Sequence, residues 1–265
     1  MPAIERFNVP SGDIEISVMK TGKGPALLLV HGAMLNATLS WWAALPKLSA
    51  NFTVYAMDRR GRAPSGDAAD YSISMEAGDL ARVVAAIGEP VTLVSHSYGA
   101  LITLEALDRL DGVAKLILYE PPFTVESRGP EAEDAMVRME SALEAGDREK
   151  VVAIFLCEQV GAPVEVLAAI RSSLAWPLIL QIASTLPRES RAVNVVRDRT
   201  RQLAACTLPT TMLLGSRTRG HLLDGSLFVA KTIPGCKLVT LEGQGHTAMT
   251  EAPDLFAGKV IEAAL

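Results

Sequence analysis

The chain has 265 residues, 49% of them apolar and 21% charged, enough for a sizeable core in one large α/β domain or two modest ones. A net charge of −5, with no basic cluster denser than Arg59-Arg60-Gly61-Arg62, argues against a nucleic-acid surface. Cys157, Cys206 and Cys236 have no metal-ligand or disulfide-framework spacing. No apolar signal segment or membrane-length run is seen, so the expectation is a cytoplasmic protein with no membrane partner.

Residues 4–20 alternate loosely, which predicts a hairpin turned at Ser11-Gly12-Asp13. Ala26-Leu27-Leu28-Leu29-Val30 is a continuous apolar run, as expected of a strand buried on both faces of a parallel sheet, and it ends in His31-Gly32-Ala33. A helix around residues 38–49 and a strand from Phe52 to Met57 follow, the strand ending at Asp58. With Ser74 as N-cap, Leu80, Val83, Val84 and Ile87 share a helical face, and Gly88 stops that helix. Val91 to Val94 predicts a strand running into Ser95-His96-Ser97-Tyr98-Gly99, then a helix carrying Leu101, Leu104 and Leu107. Leu116 to Tyr119 is a further buried strand, ending in Glu120-Pro121-Pro122. Strand alternating with helix requires parallel pairing, with helices on both faces of a mostly parallel twisted sheet.

The rhythm breaks at about residue 121. Met136, Met139 and Leu143 share one face, Val151 to Leu156 is heavily apolar, and Val166, Leu167, Ile170 and Leu174 form a third stripe interrupted at Trp176-Pro177; Pro187 marks another break. Strands and helices alternate again from Thr210 to Leu214, through a helix near 223–232 and the strand Lys237 to Leu241, to a helix opened by Pro253. The expected organisation is an α/β core of residues 1–120 and 209–265 with a helical cap, or lid, inserted over 121–208.

A strand turning sharply into a helix with Ser97 at the apex has the pattern of a nucleophile elbow, G-x-S-x-G with Ser95 in place of the first Gly. With Gly243-Gln244-Gly245-His246 after the last strand, Asp58-Arg59-Arg60-Gly61-Arg62 and Tyr119-Glu120-Pro121-Pro122, this resembles the α/β-hydrolase family. The likeness is to small bacterial serine hydrolases with a helical cap, and it spans essentially the whole chain. It implies a cofactor-free enzyme in which Ser97 is the nucleophile, His246 the general base, and Tyr98 and Ala33 the oxyanion-hole N–H donors, Met34 being the alternative to Ala33. The common family acid is missing, because Gly215-Ser216-Arg217-Thr218 stands where an Asp turn is expected. Glu120 is the favoured replacement, with Asp224, or no working acid, as the alternatives.

His31 reads as a loop-orienting residue, His96 as a packing or pocket residue, and His221 as a solvated loop residue. Asp58 to Arg62 reads as a structural brace of the sheet end. Met34, Phe123, Phe155 and Trp176 are the candidate substrate-binding residues; the last three, with Trp41 and Trp42, suit a pocket or plain core equally. The resemblance implies an ester, thioester or lactone of a medium-sized hydrophobic molecule as substrate; the expected assembly is a monomer or homodimer. Carbon–carbon bond hydrolases, lyases or cyclases, and receptors with weak turnover, share the scaffold and remain alternatives.

Overall fold

A computed structural model describes residues 3–124, 129–194 and 199–265. In chain order the elements are β1 (Glu5–Ser11), β2 (Ile14–Gly22), β3 (Ala26–Val30), α1 (Ala37–Trp41), α2 (Leu45–Ser49), β4 (Thr53–Met57), α3 (Ile73–Ile87), β5 (Val91–His96), α4 (Tyr98–Glu105) and β6 (Val113–Tyr119). Five helices follow: α5 (Pro130–Glu144), α6 (Arg148–Ile154) continued by a π-helical turn, α7 (Val164–Arg171), α8 (Trp176–Ile182) and α9 (Leu186–Asn194). The chain closes with α10 (Thr200–Ala204), β7 (Thr210–Gly215), α11 (Gly220–Thr232), β8 (Lys237–Leu241), α12 (Ala248–Glu251) and α13 (Pro253–Ala264).

Among the described residues, eight strands form one sheet in the order β1-β2-β4-β3-β5-β6-β7-β8. Only β1–β2 and β2–β4 pair antiparallel; the others are parallel, as the strand–helix alternation requires. Every residue of β3 and β7 is buried, which explains why β3 reads as an unbroken apolar run rather than an alternating one.

The chain falls into two compact units. One holds residues 3–32, 36–123 and 199–265, with the whole sheet; the other holds 33–35, 124 and 129–194, with α5 to α9. The insertion is therefore shorter than the expected 121–208: Pro121 to Phe123 and α10 stay with the sheet, and Ala33 to Leu35 group with the helices. Within the helical unit, Met136 and Met139 are buried as the apolar spacing requires.

Local details correct the sequence reading. The expected helix over 38–49 is two short helices, because Pro46 begins a new first turn and leaves Trp42 exposed between them. The N-cap of α3 is Ser72, whose hydroxyl accepts the Met75 N–H, rather than Ser74. Leu174 lies past the end of α7 and is fully exposed, so the third stripe stops short of it. Pro177 and Pro187 fall in the first turns of α8 and α9, where a missing N–H costs nothing; each starts a helix instead of breaking one. His221 lies in the first turn of α11, half-buried, and not in a loop.

Candidate active site

The elbow is built by close packing. Gly99 lies so near β3 that a Cβ there would sit 2.6 Å from the carbonyl oxygens of Val30 and His31. A side chain at that position would push α4 off the sheet, so the terminal Gly of the motif is a packing requirement. Ser95, in place of the first Gly, is fully buried; its hydroxyl donates to Thr103 Oγ1 at 2.6 Å, and Thr103 donates to the Gly99 carbonyl at 3.1 Å. Ser97 is half-buried at the apex with φ 52° and ψ −122°, a strained backbone for a residue with a side chain, and its own N–H donates to the Tyr119 carbonyl at 2.8 Å. The strand pairing thus holds the turn while the hydroxyl is left at its tip.

Glu120, one strand over, also has positive φ, 48°, and is fully buried. Its Oε2 lies 2.6 Å from His246 Nδ1. Its Oε1 accepts the Gly215 N–H at 2.8 Å and the Thr218 hydroxyl at 2.5 Å. The turn that lacks the expected Asp therefore supplies donors to a carboxylate arriving from the neighbouring strand. Asp224 is exposed on α11. With Nδ1–H given to Glu120, the half-buried His246 keeps its Nε2 lone pair free to accept a proton.

His96 ties the histidine loop to the elbow. It is buried beside Ser97; its Nε2–H donates to the His246 carbonyl at 2.8 Å, and the two imidazoles are 4.5 Å apart. Burial, reinforced by the nearby His246, pushes its pKa well below the usual histidine range, so the ring is neutral. Ser97 Cβ and His96 Nδ1 both crowd Gly32, at 2.9 and 3.0 Å from where a Cβ would stand. One chain of contacts thus links Gly32, the elbow, His246 and Glu120.

This architecture coincides with a match to the alpha/beta hydrolase family over residues 27–259, nearly the whole chain. The chain belongs to that family. It is also similar to the structure of an alpha/beta hydrolase from Sphaerobacter thermophilus, with 32% identity, 97% of this chain and 99% of that one covered, and a TM-score of 0.86. A thermophilic esterase from Thermogutta terrifontis shares the fold at 23% identity and TM-score 0.77, over 98% of this chain and 100% of the other. Among curated proteins, a pimeloyl-[acyl-carrier protein] methyl ester esterase from Methylococcus capsulatus is 32% identical over 161 residues, 58% of this chain and 62% of that protein. With such relatives, this hydrolase is an enzyme of the carboxylic ester hydrolase-like kind.

Two residues of the hydrolase site carry no signal as an isolated motif. Tyr119 donates its hydroxyl to the Gly245 carbonyl and accepts the Ala248 N–H at 3.1 Å, bracing the histidine loop from both sides. Burial, followed by the adjacent Glu120 charge, raises its pKa, so the phenol stays a donor. Thr218 was legible only as the residue standing near a missing acid. His31 orients its loop, accepting the Arg59 N–H at 3.2 Å on Nε2 and donating from Nδ1 to the Gly32 carbonyl at 2.8 Å.

Asp58 accepts the Ala37 N–H at 2.8 Å and an Arg6 N–H at 2.7 Å, while Arg60 pairs with Asp79 through two bonds. This is the structural brace its sequence suggested. Of the pocket candidates in the sheet unit, Phe123 stacks on Phe228 with centroids 5.5 Å apart, and Trp41 stacks on Phe256 at 6.0 Å. In the helical unit, Phe155 is buried in the π-turn and Trp176 half-buried at the start of α8; Met34 is buried with φ 58°.

Proposed function

We propose that this enzyme is a cofactor-independent serine hydrolase that cleaves an ester, thioester or lactone through an acyl-enzyme on Ser97. The observation that carries the reading is the 2.6 Å contact from His246 Nδ1 to the buried Glu120 carboxyl, at the end of the strand that pairs with the one leading into the strained Ser97 apex. A serine hydroxyl needs a base to attack a carbonyl, and the Glu120 bond fixes the imidazole tautomer that can act as one.

In this reading Ser97 Oγ bonds to the acyl carbon while His246 Nε2 takes its proton. The N–H groups of Tyr98 and Ala33 receive the negative charge on the carbonyl oxygen, a preorganised donor set of the kind that lowers acyl-transfer barriers most. The proton then passes to the leaving group, and water repeats the sequence to free the acid. The Methylococcus relative is described as a methyl ester esterase, which supports an ester as the bond cleaved.

A chain-length series of p-nitrophenyl esters tests this. The parent should release a burst of phenol, Ser97→Ala none, and a fluorophosphonate should add its mass to the peptide carrying Ser97. A folded parent that neither labels nor turns over any ester would reject acyl transfer and favour proton-transfer chemistry on the same scaffold.

A further inference from the structure

Arg59 is fully buried and lies outside the nucleophile–base–acid line. Its Nε and Nη2 donate to the two oxygens of Glu76 at 2.8 and 2.7 Å, a bidentate pair that neutralises it. Its Nη1 donates instead to the Gly32 carbonyl at 3.1 Å, and its guanidinium carbon stands 4.6 Å from the centroid of the Tyr98 ring. The tip of that ring is held too: the Tyr98 hydroxyl is 2.6 Å from that of Tyr71, which bonds Glu76 Oε1 at 2.7 Å.

Gly32 and Tyr98, which the Arg59 side chain grips beyond its counter-ion, are residues that orient the assigned oxyanion donors. A planar trans peptide carries its C=O and N–H on opposite edges, so fixing the Gly32 oxygen fixes the direction of the Ala33 N–H. A charged donor on that carbonyl also polarises the peptide and strengthens its N–H. For Tyr98, clamping both face and tip of the ring restrains the first residue of α4, whose backbone N–H is the second donor. Neutralising a buried Glu76 would require only the bidentate pair; the third N–H and the ring contact are additional.

We infer that Arg59 is a positioning residue that sets both peptides of the oxyanion hole, Gly32–Ala33 through the Gly32 carbonyl and Ser97–Tyr98 through the Tyr98 ring. The inference rests on the acyl-transfer reading of Ala33 and Tyr98.

Arg59→Lys tests it, because an ammonium keeps the charge facing Glu76 but lacks the planar fork that serves three partners at once. We expect kcat on p-nitrophenyl esters to fall at least ~10-fold with KM within about twofold, since these donors are aligned to charge that develops in the transition state. An aryl boronic acid, which forms a tetrahedral adduct on the serine, should lose affinity by a similar factor. Arg59→Met/Glu76→Met removes the pair without stranding a buried charge and should show the same split. Parent-like kcat and boronate affinity in either folded variant would overturn the inference. A parent without esterase turnover would sink the acyl-transfer reading alone. The positioning role is then read from ¹⁵N relaxation of the Ala33 and Tyr98 amides, which should loosen in Arg59→Lys; parent-like order at both sites would overturn it.

Discussion

At the scale of single residues, Glu120 is held by complementary donors that leave it one orientation. Oε1 of Glu120 faces two donors, Gly215 N–H and Thr218 O–H, and Oε2 faces His246. In Glu120→Gln the amide oxygen must stay on the Gly215 side, because an NH₂ there would meet two donors. The NH₂ then faces His246 Nδ1 and forces the proton onto Nε2, the tautomer that cannot accept one. We expect kcat to fall by about 10³ to 10⁴, the scale of the wrong-tautomer change in a serine protease, with the thermal midpoint little changed; turnover near the parent's would reassign the acid. Thr218→Val removes one Oε1 donor and leaves the tautomer intact. Its kcat loss should be far smaller, and its stability should drop by about 1 kcal/mol, read by urea unfolding. The sequence showed Glu120 as a carboxylate at a strand end. It did not show that Thr218 and Tyr119 would hold the acid and the histidine loop, because those contacts join residues about a hundred positions apart.

At the scale of elements, glycines set how closely segments approach the strand ends around Ser97 and Glu120. A Cβ on Gly99 would stand 2.6 Å from two carbonyl oxygens of the neighbouring strand end, and one on Gly215 would stand 2.5 Å from the Gln244 carbonyl. Backbone atoms cannot yield as a flexible side chain would. Gly99→Ala should therefore cost at least ~3 kcal/mol, in the range of severe overpacking, or block folding. Gly215→Ala should displace the histidine loop and lower kcat more than stability. The contrast is checked by measuring denaturant midpoint and turnover on both variants; a Gly99→Ala protein as stable as the parent would contradict the packing account. Strands and long helices were readable in advance because burial on two faces leaves unbroken apolar runs and burial on one leaves a 3.6-residue stripe. Short helices are less legible in a sequence. The proline in the first turn of α2, α8 and α9 is compatible with both a break and a start, and only the packing of the preceding turn decides between them.

At the scale of the whole molecule, the buried histidines couple folding to pH. Burial holds His31 and His96 neutral, each well below the 6.5 of a free imidazole. Below pH 6.5 the unfolded chain binds protons that the native state refuses, so this stability is complete above that pH and is lost as pH falls through it. Each histidine contributes a slope of up to about 1.4 kcal/mol per pH unit. Asp58, raised above 3.8 by burial, acts in the opposite sense just above that value and should flatten the loss toward pH 4. Urea unfolding at pH 8, 7, 6 and 5 should show a level stability that then declines; a curve flat from 7 to 5 would contradict neutral burial of the pair. No single helix among the described residues is long and apolar enough to cross a membrane. The amino-acid order by itself determined the alternating strand–helix core and the segments bearing Ser97, Glu120 and His246, because periodicity and turn chemistry are local properties of a chain. Which carboxylate meets the histidine, and which arginine grips Gly32 and Tyr98, was decided only by tertiary structure, because a hydrogen bond between distant segments depends on the sheet order that brings them together.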